Sequence, residues 1–180
     1  MIEVVGNLFE PPAELNVSAI VITTNGDTRQ DGAAVMGRGV ALEAKRRWPG
    51  IEYRLGDLLR KDGNHVHRLT TNGRVALGAD MGRQYRAIPC APNRRQWRTS
   101  HIEVPYDIYS LPVKHDWRCK ADLELIKQSV MQLKALLPSD AVIALPRPGC
   151  GNGRLAWADV RPILAWYLDG RRFIIIEKNP

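Results

Sequence analysis

The feature that most constrains this chain is an alternation of short apolar, β-branched runs with longer stretches of helical period. Ile2–Val5 and residues 19–23, 107–111, 141–145 and 173–176 each read as a strand. The run Ala19-Ile20-Val21-Ile22-Thr23 is apolar enough to be buried on both faces. Residues 35–48 predict a helix; Lys45, Arg46 and Arg47 suit the negative end of its dipole, and Pro49-Gly50 stops it. Residues 121–137 carry the clearest helical signal. Leu123, Ile126, Val130, Leu133 and Leu137 recur at spacings of three and four, Asp122 and Glu124 sit near the positive end, and Pro138 ends the pattern. Residues 160–168 predict a further helix with Asp159 as N-cap and Gly170 just past its end. Pro162 would fall in the first turn, where the N–H groups have no intrahelical partner. Strands alternating with helices imply an α/β fold with a mixed, largely parallel sheet covered on both faces.

The middle of the chain reads differently. Residues 66–71 and 74–77 predict a hairpin across Asn72-Gly73, a strong two-residue turn signal. Residues 80–105 hold many Arg, Pro and polar groups without sustained period, with a short strand expected at residues 86–88. The expectation is one domain over residues 1–180, with an irregular excursion around residues 65–105; a length of 180 residues and a hydrophobic content of 44% fit one core. The longest apolar runs are about six residues, far short of the roughly 18 that span a bilayer, so no membrane partner is expected. Residues 1–6 read as a strand and carry no signal-peptide pattern. Three widely spaced cysteines, Cys90, Cys119 and Cys150, argue against a disulfide framework or zinc site and for a reducing cytoplasm. The net charge of +7 suits a polyanionic ligand or, equally, a solubilising surface.

Three loops leave strands where an open α/β sheet places its ligands, beyond the carboxyl ends. The first is Leu145-Pro146-Arg147-Pro148-Gly149-Cys150-Gly151-Asn152-Gly153. Its glycines let backbone approach a ligand, and successive N–H groups there can cradle a diphosphate; a plain tight turn uses glycines too. Neither a Walker A nor a GxGxxG spacing is present. The second runs from Thr23-Thr24-Asn25-Gly26-Asp27 to Ala34-Val35-Met36-Gly37-Arg38-Gly39. Asn25 can both donate and accept, as a ribose diol requires, or can make an Asx turn. The third is Leu111-Pro112-Val113-Lys114-His115-Asp116-Trp117-Arg118, whose lysine reads either as a nucleophile or electrostatic partner, or as a solvated surface group. His65-x-His67 is surface decoration more readily than a metal site. Arg94-Arg95-Gln96-Trp97-Arg98 mixes cations with an aromatic, as contacts to single-stranded nucleic acid do.

In this order the loops resemble the macrodomain family, most closely its DarG antitoxin group, with a layout similar to the terminal ADP-ribose protein glycohydrolase type. The resemblance rests on Gly6-Asn7-Leu8, Val21-Ile22-Thr23-Thr24-Asn25, Val35-Met36-Gly37-Arg38-Gly39-Val40-Ala41-Leu42, Leu111 to Arg118, and Pro148-Gly149-Cys150-Gly151-Asn152-Gly153-Arg154-Leu155-Ala156-Trp157. It covers most of the chain outside residues 50–105. It implies a three-layer α/β/α macrodomain that binds ADP-ribose without metal or cofactor. Asn7 and Leu8 would lie near the adenine, and Thr24 and Asn25 near the distal ribose. Ala34, Val35, Met36, Gly37 and Arg38, with Gly149, Cys150, Gly151, Asn152 and Gly153, would wrap the diphosphate and ribose. Lys114 falls where the group carries its catalytic lysine. Arg38 stands where the group usually has lysine, and Gly153 stands where the glycohydrolase has an acid. The resemblance thus implies a hydrolase removing ADP-ribose from a modified nucleic acid or protein. Two alternatives remain, a module that binds or sequesters ADP-ribose or a related nucleotide, and an ADP-ribose 1″-phosphate phosphatase.

Overall fold

Strand β2 (Ala19–Asn25) is the axis of the main sheet, and Ala19, Ile20, Val21 and Ile22 are all buried. The computed structural model describes residues 1–71, 74–76, 101–168, 170 and 172–178. β1 (Ile2–Val5) comes first, and β2 is followed by α1 (Gly39–Arg47), α2 (Ile51–Asp62), β3 (His67–Arg68), β4 (Thr70–Thr71) and β5 (Arg74–Ala76). Then come β6 (His101–Glu103), β7 (Asp107–Lys114), α3 (Leu123–Leu136), β8 (Ile143–Leu145), α4 (Trp157–Tyr167) and β9 (Phe173–Glu177). The six-stranded sheet runs β1-β9-β8-β2-β7-β3. Its pairs are parallel except β3–β7, so the sheet is mixed and largely parallel, as the alternating pattern implies.

Successive strand residues point to opposite faces, and that alternation divides the core in two. Ile20, Ile22, Ile108, Ala144, Ile174 and Ile176 pack with Ala41 and Ala44 of α1 and Ile51, Leu55 and Leu59 of α2. Ala19, Val21, Tyr109, Leu111, Ile143 and Phe173 pack with Ile126, Val130 and Leu133 of α3 and Val160 and Leu164 of α4. Helices on both faces of one sheet give the three-layer α/β/α architecture. No helix among the described residues is long and apolar enough to cross a membrane.

Several boundaries differ from the sequence reading, each for a local reason. The first helix begins at Gly39 rather than at residue 35, because Arg38 is extended and Val35 is held in the preceding loop by a hydrogen bond from its N–H to the Asp27 carbonyl (2.9 Å). Helix α2 was not foreseen; Ile51, Leu55 and Leu59 form its buried stripe. Asp122 N-caps α3, its carboxylate accepting the N–H groups of Glu124 and Leu125. Helix α4 starts at Trp157, so Asp159 lies in its first turn instead of capping it, and Pro162 lies inside the helix. Residues 66–71 split between two sheets: β3 joins β7, whereas β4 pairs with β5 in a small β4-β5-β6 sheet. Opposition of Thr71 and Arg74 makes the anticipated hairpin. Its turn residues Asn72 and Gly73, the strand expected at residues 86–88 and the Arg94–Arg98 cluster lie outside the described residues.

The two faces of α3 give a direct test. Leu133 is fully buried and Leu136 is half exposed. Leu133→Ala should lower the unfolding free energy by about 3 kcal/mol in urea titration. Leu136→Ala should change it by less than about 0.5 kcal/mol.

Candidate functional site

The parallel pairing of β2 and β7 brings two site residues together at the carboxyl edge. Thr24 lies opposite Pro112, the register then shifts, and Asn25 lies opposite Lys114. Pro112 has no N–H to give the ladder, which suits the irregularity. Its carbonyl instead accepts a hydrogen bond from the buried Ser129 hydroxyl (2.8 Å).

Lys114 ends β7 with only 9% of its surface exposed. Its Nζ donates to the Asn152 carbonyl (2.9 Å), and its own carbonyl accepts from the Asn64 amide (3.0 Å). The lysine therefore joins the strand end to the glycine turn. An ammonium carries three donors, so two remain beyond the Asn152 bond.

The turn at residues 149–153 requires glycine at both ends. Gly149 has φ +74°, and a Cβ on Gly153 would lie 2.3 Å from the Gly149 carbonyl oxygen. The Leu155 N–H bonds the Gly149 carbonyl (3.0 Å), and the Gly153 carbonyl accepts from the Ala121 N–H (3.0 Å). Among the described residues, the N–H groups of Gly151, Asn152 and Gly153 have no acceptor. They form the set of adjacent free donors that an anion needs. Cys150 is half-buried; its thiol donates to the Pro148 carbonyl (3.5 Å), and burial pushes its pKa up. At neutral pH it is a protonated wall of the turn rather than a nucleophile.

The second glycine loop faces the first: a Cβ on Gly39 would come within 3.0 Å of the Asn152 amide nitrogen. Ala34 and Met36 are buried, Val35 is partly so, and Gly37 and Arg38 are exposed. Asn25 organises this loop. Its amide donates to the Val35 carbonyl (2.9 Å), while its oxygen accepts from the Asp27 N–H (3.0 Å). The Asx turn and the candidate ligand residue are thus one and the same. The Thr24 hydroxyl is buried and has no partner among the described residues. At the end of β1, the Asn7 oxygen accepts the Phe9 N–H (3.0 Å), and the Leu8 side chain lies in the core under the α1/α2 layer. Asn25, Lys114 and the two glycine loops thus lie together at the carboxyl edge of β2 and β7. His65 and His67 stand apart, engaged with Gln132 and with the Gly63 carbonyl.

Three supporting residues escaped sequence reasoning. Asn64 reaches Lys114 across 50 positions, a distance no local pattern reports. Gly56 lies inside α2, where a Cβ would come 2.0 Å from the Gly32 carbonyl oxygen, so the helix accepts the loop only with hydrogen at that position. Arg147, just before the glycine turn, ties it to β9, β1 and the start of α4: it bonds Glu177, lies 3.5 Å from Glu3, and stacks 5.0 Å from the Trp157 ring centroid. Glu3 also accepts from the Trp157 indole (3.1 Å) and Arg161 (2.7 Å). The Arg161 hydrogen bond is the largest influence on the Glu3 carboxyl and holds it below the usual carboxylate range.

No family model matches the chain. A Thermus aquaticus protein described as a DNA ADP-ribosyl glycohydrolase is 30% identical over 159 residues, covering 87% of this chain and 34% of that protein. A Mycobacterium tuberculosis protein of the same description is 27% identical over 128 residues, covering 70% and 29%. The chain thus spans about a third of the length of the curated relatives it matches. Among solved structures, the macrodomain of Thermus aquaticus DarG aligns with a TM-score of 0.60 at 26% identity, covering 99% of this chain and 97% of that one. Thermosipho africanus DarTG in complex with ADP-ribose aligns at 0.66 and 17% identity, covering 97% and 40%. Sheet order, helix layers and the facing glycine loops define a macrodomain. Within that class, the chain is of the DarG type.

Two substitutions probe the supports. Alanine normally stabilises a helix relative to glycine by about 1 kcal/mol. Gly56→Ala should do the opposite, lowering the unfolding free energy by more than about 1 kcal/mol in urea, because its methyl displaces Gly32. Glu3 has a depressed folded pKa, so its contribution is present above its unfolded pKa and lost as pH falls through the folded value. Glu3→Gln should therefore cost up to about 1 kcal/mol at pH 7, given partial exposure, and the difference should shrink in acid denaturant titrations as the folded carboxyl protonates.

Proposed function

We propose that this macrodomain binds ADP-ribose along the carboxyl edge of its sheet and hydrolyses the bond joining its C1″ to a nucleic-acid base or a protein side chain. The observation that carries the proposal is the buried Lys114 Nζ at the seam of the two glycine loops, bonded to the Asn152 carbonyl with donors to spare. The relatives described as DNA ADP-ribosyl glycohydrolases support the same reading and favour a nucleic-acid substrate.

In this reading, the free N–H groups of residues 151–153 receive the diphosphate. Asn25 holds the opposite loop and presents its remaining hydrogen-bonding capacity to the distal ribose. Asn7 and Leu8 border the adenine. Water adds its oxygen to C1″, the glycosidic bond breaks, and a proton passes to the released base or side chain. Lys114 either acts at C1″ directly or fixes the ribose for attack. Positioning of this kind supplies a large share of many rate enhancements. Cys119 and Cys150 are both free thiols, which suits a reducing cytoplasm.

A second reading, a non-catalytic module for ADP-ribose, is favoured by Gly153, which leaves the turn without a carboxylate. Incubation of wild type with ADP-ribosylated single-stranded DNA and with ADP-ribosylated protein separates the two. Release of ADP-ribose by wild type, reduced at least about a hundredfold in Lys114→Ala, is the expected outcome. Saturable calorimetric binding of ADP-ribose with no release from either substrate would establish the binding module. Phosphate release from ADP-ribose 1″-phosphate would identify a phosphatase instead.

A further inference from the structure

The turn that follows Lys114 is rigid and carries an exposed indole. The His115 carbonyl accepts the Gly26 N–H (3.2 Å), and the Asp27 carboxylate accepts the Trp117 N–H (2.7 Å). Asp116 accepts the N–H groups of Arg118, on its side chain (2.7 Å), and of Cys119, on its carbonyl (3.1 Å). Trp117 nevertheless keeps 49% of its surface exposed. The Arg118 guanidinium lies 4.8 Å from the indole centroid, and the Asp116 carboxylate, 3.3 Å from Arg118 Nη1, helps to orient it. Core packing does not account for an indole placed this way, three residues from the site lysine.

Cations lie along this stretch among the carboxylates Asp27, Asp116 and Asp122. Lys120 is exposed and precedes Ala121, whose N–H bonds the Gly153 carbonyl; Arg154, also exposed, follows Gly153. Lys120 and Arg154 thus flank the Ala121–Gly153 contact, and Arg118 lies two residues before Lys120. A flat aromatic backed by a guanidinium and flanked by cations is the chemistry that receives an unpaired base and its phosphates.

We propose that Trp117 and Arg118 form a stacking platform for the nucleobase adjoining the ADP-ribosylated one in a single-stranded nucleic acid, with Lys120 and Arg154 meeting the flanking phosphates. The proposal rests on the nucleic-acid reading of the site. It assigns strand recognition to residues that do not bind the ADP-ribose itself.

The test compares kcat/KM for an ADP-ribosylated single-stranded oligonucleotide with that for the same linkage on a mononucleoside. In Trp117→Ala the ratio of the two should fall about tenfold or more, and Trp117→Phe should recover most of it by restoring a ring. Arg118→Ala should lower the same ratio and weaken its dependence on salt. An unchanged ratio in Trp117→Ala would overturn the platform. So would a loss confined to ADP-ribosylated protein, which would make this surface a protein contact. If wild type turns over neither substrate, the hydrolase reading fails, and the platform is then read from anisotropy of a fluorescein-labelled single-stranded oligonucleotide. Binding about tenfold weaker in Trp117→Ala supports it, and equal binding removes it.

Discussion

The parallel pairing of β2 with β7 is the constraint on which the rest of the site depends. Both strands are buried, and they end together at one edge, with Asn25 opposite Lys114. Burial on both faces fixes their register, because a slip of one residue would turn every apolar side chain toward the wrong layer. With β8 on the other side of β2, three loops are delivered to the same edge in one orientation. Lys114 then closes the arrangement with its bond to Asn152, which no strand ladder could supply.

Close backbone approach is the second principle of the site. The glycine turn folds on itself at Gly149 and Gly153, and the opposing loop lies directly on α2 at Gly56. Both loops are then held by polar side chains as well as by buried apolar ones: Asn25 and Asp27 with Ala34 and Met36 on one side, Arg147 and Glu3 with Leu155 on the other. This division leaves N–H groups free at the surface while the loops stay fixed. Such preorganisation lets a phosphate bind without ordering the backbone first. Asp27 bonds both Asn25 and the Trp117 N–H, so the proposed ADP-ribose site and the proposed strand platform share one scaffold.

Much of this was legible in the residues. The apolar runs reported the main strands, and the spacing of Leu123, Ile126, Val130 and Leu133 reported α3, because burial imposes a period that sequence must obey. The glycine turn and Lys114 were marked by residue type and by resemblance. Other features were hidden for physical reasons. Helix α2 carries charged residues and an internal Gly56, which weaken its local signal. The start of α1 was misread because Val35 and Met36 look helical by composition; hydrogen bonds of Val35 with Asp27 and Asn25 hold them in a loop. The start of α4 was misread because Asp159 has cap chemistry, while the contacts of Trp157 with Glu3 and Arg147 come from β1 and from the loop after β8.

The sequence by itself determined the α/β class, the main elements and the residue types available at the carboxyl edge, since local period and backbone chemistry follow from the order of side chains alone. Only the tertiary structure decided what those residues hold. It gave Lys114 to Asn152, Asn25 to Val35, Asn64 to the Lys114 carbonyl, and Arg147 to Trp157. These pairings join positions from ten to 50 residues apart, and a hydrogen bond at such separation depends on how strands pair in space, which no local pattern encodes.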